Sequence, residues 1–416
     1  MKPRYFVRAI SSVAALLVTT SFAGAQVSDD VVKIGVLTDM TGLYSDLSGP
    51  GSVAAAHMAV EDFGGKALGK RIEVISADHQ NKPDVGAGIA RRWFDLEQVD
   101  AIVDVPTSSV AFAVQEISRQ KNRALLISSS GSSDLTGKAC SPVSVHWTYD
   151  TYALSHAVGN ALLKRSADTW FFLTADYAFG LALEKDARAV VEAGGGKVLG
   201  SVRHPQDTSD FSSFLLQAQR SKAKIVALAN AGGDTVNSIK QAQEFGITRK
   251  QQIVGLLTYI SDVHSLGLQR AQGLLLASAF YWDMDEETRA WTKRFVARVN
   301  KVPTMANAGV YGAVLHYLKA IEASKTDDAT VVVSTMKKIR SMISSRRMAL
   351  CVKTGELCAT FTCSRSRRPV SQNTNTTTTS CSIPSRPRRP SGPCPRETAL
   401  WYEKPLQGDN KRGAAS

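Results

Sequence analysis

Between residues 31 and 339, short apolar runs alternate with longer stretches whose apolar positions recur at helical spacing. The first run, Val31, Val32, Ile34, Val36 and Leu37, is dense in β-branched residues, as in a strand covered on both faces. Thr38 to Pro50 follows with Gly, Pro, Ser and Asp, the chemistry of a turn and a helix entry rather than of a hairpin. Ala54, Met58, Val60 and Phe63 then share one face, so Gly51 to Phe63 is predicted as an amphipathic helix running back along the strand.

The pattern repeats. Strands are predicted at 71–77, 101–105 and 124–128, and helices at 85–96 and 108–120, with short polar connections. After a crossover at 143–152 the alternation restarts: helices at 152–163, 179–193, 211–220 and 235–245, strands at 169–174, 197–202, 224–228, 252–257 and 274–279. Helices at 286–299, 308–323 and 329–339 close the series. Two such runs predict an α/β protein with two doubly wound, mostly parallel sheets flanked by helices. One lobe is expected over 31–148, completed by 280–325, and the other over 149–279. Parallel sheets take ligands at the carboxyl ends of their strands, which places Asp39 to Ser48 at a cleft.

Charge changes little once it is located. The formal charge is +13, yet residues from Arg340 onward carry 14 Lys/Arg against 4 Asp/Glu, and Lys2, Arg4 and Arg8 supply the rest. The body is therefore neutral, and nucleic-acid binding is not expected. Residues 1–25, with a basic start, an apolar Ala9 to Phe22 and Ala23-Gly24-Ala25, are expected to be a secretory signal peptide. The body holds only Cys140, and the other five cysteines fall after residue 350, so no disulfide framework is expected.

Several segments carry more than pattern: IGVLTDMTGLYSDLSGPG with MAVEDF, SADHQNKPDVGAGIARRWFD, SSSGSSDLTG, WTYDTYAL, TADYAFG, and LANAGGDT with QAQEFG. In this order, residues 31–339 resemble the periplasmic substrate-binding proteins of ABC importers, in the branched-chain amino-acid (leucine-binding) group. The resemblance implies a bilobal type I clamshell in the periplasm. It implies a monomer that captures an aliphatic amino acid, an amide or a small aromatic acid and docks transiently on an inner-membrane permease. It also implies a site in which Ser130, Gly131 and Ser132 meet the solute's carboxylate, with Thr107 and Ser108 adding hydroxyls at a helix start. From the second lobe Asp176, Tyr177 and Phe179 supply an aromatic wall. Tyr44, Tyr152, Asn230 and Thr258 stand at further strand-to-helix junctions, Asn230 being placed to read an amino or amide group. No acidic residue can be set opposite an α-amine.

Enzyme chemistry is not expected. The chain has no Gly-x-Ser-x-Gly elbow, no His-Glu-x-x-His and no P-loop. Its seven histidines are scattered without metal-ligand spacing, and no cofactor is implied. A ligand-sensing module of a regulatory system is the alternative to transport, and a hydrolase using the same cleft is a third class.

The composition breaks after Ile339, where basic residues, cysteines and a Thr run appear together. Residues 340–416 are expected to form an aberrant, disordered tail read in a shifted frame. Codons chosen for residues 342–348 give Asp-Asp-Phe-Phe-Ala-Lys-Asn when read one base back, and the same offset turns 362–368 into Tyr-Leu-Phe-Glu-Val-Lys-Lys. Both resemble segments with which the family continues. The second lobe is then expected to lack its closing strands.

Overall fold

The apolar run Val31–Thr38 is strand β1, and every residue from Ile34 to Thr38 is buried. It lies between two parallel neighbours, which explains why its apolar residues do not alternate with polar ones. The structure, a computed structural model, describes residues 28–165, 168–339, 348–352 and 359–361. The expected signal peptide lies outside them.

β2 (Lys66–Ala67), β3 (Lys70–Asp78), β4 (Ala101–Asp104), β5 (Ala124–Ile127) and β6 (Ser144–His146) join β1 in a six-stranded sheet of order β2-β3-β1-β4-β5-β6. All pairings are parallel except the short β2–β3 hairpin. Helices α1 (Gly49–Phe63), α2 (Pro83–Asp95) and α3 (Ser108–Lys121) connect the strands. Trp93, Phe94, Val110 and Val114 of α2 and α3 cover one face, against Leu37, Ile102 and Leu125.

The chain then passes through α4 (Thr151–Leu163), β7 (Thr169–Ala175), α5 (Ala178–Ala193), β8 (Lys197–His204), α6 (Ser212–Arg220), β9 (Ile225–Ala229), α7 (Gly233–Glu244) and β10 (Gln252–Gly255). These strands form a separate parallel sheet of order β10-β9-β7-β8. Trp170 and Phe172 face α4 and α5, whereas Phe171 and Leu173 face α6 and α7, the period-two alternation of a strand between two helical layers. Short helices α8 (Ile260–Leu266) and α9 (Leu268–Ala271) lead to β11 (Leu275–Ser278).

Helices α10 (Glu286–Val299), α11 (Met305–Ser324) and α12 (Ala329–Lys338) pack back on the first sheet. Phe295, Val310, Val314, Tyr317, Ile321, Val332 and Met336 complete the apolar layer over Val32, Ile34 and Val36. Beyond them β12 (Met348–Val352) pairs antiparallel with β11, and β13 (Ala359–Phe361) antiparallel with β12, in a three-stranded sheet.

Three sequence expectations need correction. The crossover residues Ser144–His146 form a sixth strand beside β5. The hairpin strand β2 and helices α8 and α9 were not foreseen. Within the expected tail, residues 348–352 and 359–361 form β12 and β13, which join β11 in a sheet separate from that of the second unit. The rest of the tail lies outside the described residues.

Candidate functional site

Strand order alone locates a site. In the first sheet β1 stands between β3 and β4, so connections leave it in opposite directions and a crevice opens at the carboxyl ends of β1 and β4. In the second sheet β7 and β9 bear the same relation. These two switch points meet. The loop after β1 carries Leu43 and Tyr44 across to the second unit, where the Tyr44 hydroxyl stands 2.5 Å from that of Tyr177 and accepts from Gln206 Nε2 at 3.2 Å. Gly232, with φ +59, lies beneath this loop: a side chain there would stand 2.8 Å from the Leu43 carbonyl oxygen, so only glycine suits both the backbone and the space.

The first wall is a hydroxyl and amide network. Asp39 accepts hydrogen bonds from the N–H of Gly42 (2.7 Å), the N–H of Tyr44 (2.8 Å) and Asn81 Nδ2 (2.6 Å). Thr107 donates its hydroxyl to Asn81 Oδ1. Deeper, Asp104 accepts from Ser48 Oγ at 2.6 Å and from Ser129 Oγ. Burial pushes the Asp104 carboxyl up, and those hydroxyls pull it partly back. Asp104 and Val105 both hold positive φ, 85° and 54°, which a β-branched residue adopts only under constraint. The constraint is visible: Val105 donates its N–H to Leu37 and accepts from the Ser130 hydroxyl, while the Asp104 carbonyl takes the N–H groups of Ser128 and Ser129.

The loop Ser130–Ser132 follows β5. The Ser130 carbonyl accepts from His146 Nε2 at 2.7 Å. Gly131 packs under Phe179, whose ring would stand 2.7 Å from any side chain at that position. Ser132 is fully buried; its N–H donates to Ser108 Oγ at 3.2 Å, and its own hydroxyl has no hydrogen-bond partner among the described residues.

The opposite wall is aromatic. Tyr44, Tyr149, Tyr177, Phe179 and Tyr259 belong to one apolar cluster or pack against it. The hydroxyl of Tyr149 touches that of Tyr259 and donates to the Ser129 carbonyl at 2.5 Å. Burial raises the pKa of all four phenols, so they remain protonated.

Helix ends divide into two kinds. In the helices that follow β1, β3, β4, β7, β8 and β9, namely α1, α2, α3, α5, α6 and α7, the N-cap residue makes no side-chain cap, although Gly49 N of α1 donates to Thr38 Oγ1 at 3.0 Å and Ser212 N of α6 to Asp210 Oδ1 at 2.9 Å. By contrast α4, α10, α11 and α12 are closed by Asp150, Asp285, Thr304 and Asp328, while at α8, after the edge strand β10, Asp262 accepts from the N–H of the preceding Tyr259. Uncapped N–H groups and the helix dipole favour an anion at the junction.

Over residues 31–351 the chain matches the family described as periplasmic binding protein. The chain belongs to the periplasmic binding protein family. This family consists of solute-binding proteins of the ABC-transporter type, not of enzymes. A crystal structure of a periplasmic binding protein from Burkholderia mallei is 47% identical, with a TM-score of 0.76 over 77% of this chain and 89% of that one. The branched chain amino acid ABC transporter periplasmic ligand-binding protein of Burkholderia xenovorans is 38% identical, with a TM-score of 0.70 over 79% and 94%. The Leu/Ile/Val-binding protein homolog 6 of Brucella melitensis is 25% identical over 76% of this chain and 83% of its own length.

Within this periplasmic binding protein the residues expected at the site separate into two groups. Tyr44, Thr107, Ser108, Ser130, Gly131, Ser132, Tyr177 and Phe179 come together at the junction. Thr258 sits at the end of β10 over Gly255. Asn230 is turned inward: its amide meets His204 Nε2 and Ser238 Oγ and accepts from Thr235. Asp176 faces Arg203 at 3.5 Å with its side chain half exposed, and the Tyr152 ring stacks on His156 one helical turn away. Tyr149, Tyr259 and Asn81 were missed. Tyr149 lies in the crossover, and Tyr259 directly follows Thr258, so both carried a positional signal. Among the described residues no group of three His, Cys, Asp or Glu is placed to hold a metal, and no helix is long and apolar enough to cross a membrane.

Proposed function

We propose that the chain captures a small carboxylate-bearing solute between two lobes, 31–148 with 280–325 and 149–279, and delivers it to an ABC importer. The observation that carries this reading is the meeting of the two switch points. Ser132 offers a hydroxyl with no partner among the described residues beside the start of α3, with Ser130, Gly131, Thr107 and Ser108 around it, and Tyr44, Tyr177 and Phe179 cover them from the other side. A carboxylate suits the donors, and an apolar body suits the rings. The branched-chain amino-acid name of the Burkholderia xenovorans relative supports the same range of solutes. Closing over the solute would give a permease a state to distinguish from the empty one, and the protein would meet it in the periplasm as a monomer.

Thermal-shift screening of small carboxylates tests the reading, since a solute that binds only the folded state raises the melting temperature with concentration. At least one aliphatic or aromatic carboxylate is expected to do so, with Kd confirmed by calorimetry. If no carboxylate shifts the transition while an uncharged solute does, the reading fails.

A further inference from the structure

We infer that the far pole of the second unit is a docking surface for an anionic phospholipid bilayer. The inference does not depend on which solute the junction takes.

In a parallel sheet every strand begins at the same end. The strands of the second sheet finish at the junction, so the turns that precede β7, β8, β9 and β10 lie together at the opposite end. Hydrogen bonds tie these turns into one row. Gln252 donates its N–H to the Lys224 carbonyl at 2.8 Å, Lys224 its N–H to Thr169 Oγ1 at 3.0 Å, and Lys197 its N–H to the Asp168 carbonyl at 2.6 Å. α9 joins the row through Arg270, whose carbonyl accepts from Gln243 Nε2 at 2.8 Å.

The row is basic. The turn into β7 carries Lys164 and Arg165, the turn into β9 carries Arg220, Lys222 and Lys224, and the turn into β10 carries Arg249 and Lys250. Lys197 opens β8, and Arg270 stands in α9. All of these residues are exposed. The acids of the same turns and helix ends are Asp168, Glu192 and Glu244, and among the described residues only Lys224 of those cations has an ion pair, with Asp168 at 2.9 Å.

Cations at helix C-termini are favoured by the helix dipole in any α/β unit, so their presence alone decides nothing. The pairing does. At the corresponding end of the first sheet Lys70, Arg71, Arg92, Arg119, Lys121 and Arg123 each pair with a carboxylate. The body of the chain is neutral as a sum, so the unpaired cations of the second unit are charge segregated to one pole.

Exposed apolar side chains stand among them. Leu268, in α9, is 72% exposed, and Phe245, at the end of α7, is 45% exposed. Leu266 and Leu268 line a shallow groove with Gln243, Thr248 and Arg270. Cations meet headgroup phosphates and apolar tips reach the boundary of the acyl chains when such a surface lies on a bilayer. The cations spread over every turn of the pole instead of converging on one pocket, which suits a plane of charge better than a single acidic segment. Docking by this pole leaves the carboxyl ends of the strands, and the junction with them, facing away from the bilayer.

Co-sedimentation of the full chain with vesicles tests this. Vesicles of phosphatidylglycerol and phosphatidylcholine in equal parts should retain at least about tenfold more protein than phosphatidylcholine alone, and raising salt from about 0.05 M to about 0.5 M should abolish the difference. Lys222→Glu, Lys250→Glu and Arg270→Glu together should lower retention about tenfold or more, whereas Lys66→Glu, Arg91→Glu and Lys319→Glu, a matched reversal in the first unit, should change it less than about twofold. No preference for anionic vesicles overturns the inference. So does retention that survives the pole reversal, which the basic residues from Arg340 onward could supply. Retention on immobilised poly-L-glutamate without retention by vesicles also overturns it, in favour of an acidic protein partner. Hydrogen exchange on the wild-type chain bound to vesicles gives the answer without substitution: protection is expected at 220–224 and 248–251, and protection confined to other segments counts against the pole.

Discussion

The helices at the two ends of the molecule begin differently. At the back, α10, α11 and α12 are each closed by their own flanking side chain: Asp285 on Thr288 N at 2.9 Å, Thr304 on Asn307 N at 3.3 Å, and Asp328 on Val331 N at 3.0 Å. At the junction, α1, α3, α5 and α7 begin without such a cap. The side chains that would cap them are present but used elsewhere. Thr107, preceding α3, donates to Asn81, and Asp234, in the first turn of α7, accepts from the loop at 207–208. The three helix ends at the back thus have a donor satisfied by their own flanking side chain, and these four do not.

The sharpest way to break this contrast is to fill the donor plate. Replacing Ser130 and Ser132 together by Leu should lower solute affinity at least about a hundredfold in calorimetry, since leucine side chains would fill the carboxylate's place and the Ser132 hydroxyl would be lost. Unchanged affinity would mean that the loop is scaffold like the back of the molecule.

A second test uses protons. Burial raises the Asp234 carboxyl from 3.8 to about 7, so the folded state holds that proton where the unfolded state has released it. The associated stability is fully present below 3.8 and is lost as pH rises through about 7. Chemical denaturation at several pH values should therefore show wild type losing stability relative to Asp234→Asn, by about 1 kcal/mol per pH unit across that window. Parallel curves would show that Asp234 does not titrate there.

Smaller effects separate the two kinds of helix end. Asp285→Ala and Asp328→Ala should each cost about 1 kcal/mol in urea denaturation and leave solute affinity within about twofold. Asn81→Ala should do the reverse at α3: the freed Thr107 hydroxyl can turn onto the helix N–H groups, and affinity should fall about fivefold. Last, Tyr44→Phe removes the hydroxyl contact with Tyr177 and should weaken solute binding by about 1 kcal/mol, read by calorimetry.

Much of this architecture is legible in sequence because parallel strands buried on both faces read as apolar runs, and helices as periodic faces. β2, β6, α8 and α9 escaped because two to seven residues show no period, and β6 because its residues also suit a crossover. β12 and β13 escaped for another reason: their composition is that of the tail, and their pairing with β11 comes from far along the chain. The family match ends at residue 351, inside β12. Sequencing the gene decides the shifted-frame reading, which fails if the codons after Ile339 do not yield strands one base back. At the site the Ser130–Ser132 loop and Tyr177 stood out through motif and position. The inward turn of Asn230 did not, since it depends on His204, Ser238 and Thr235 arriving from three separate places.

The return of the chain to its own beginning has a kinetic consequence. Ser28 is bonded to Asp327 across 299 positions, and the Leu47 carbonyl accepts from Thr304 across 257. β11 must wait for β12 before its edge is paired. Neither unit can reach its final packing while the ribosome is still making α11, α12 and β12, and at some 5–20 residues per second the nascent chain spends many seconds incomplete. Closure through distant partners therefore leaves both units without their final packing until the last helices are made.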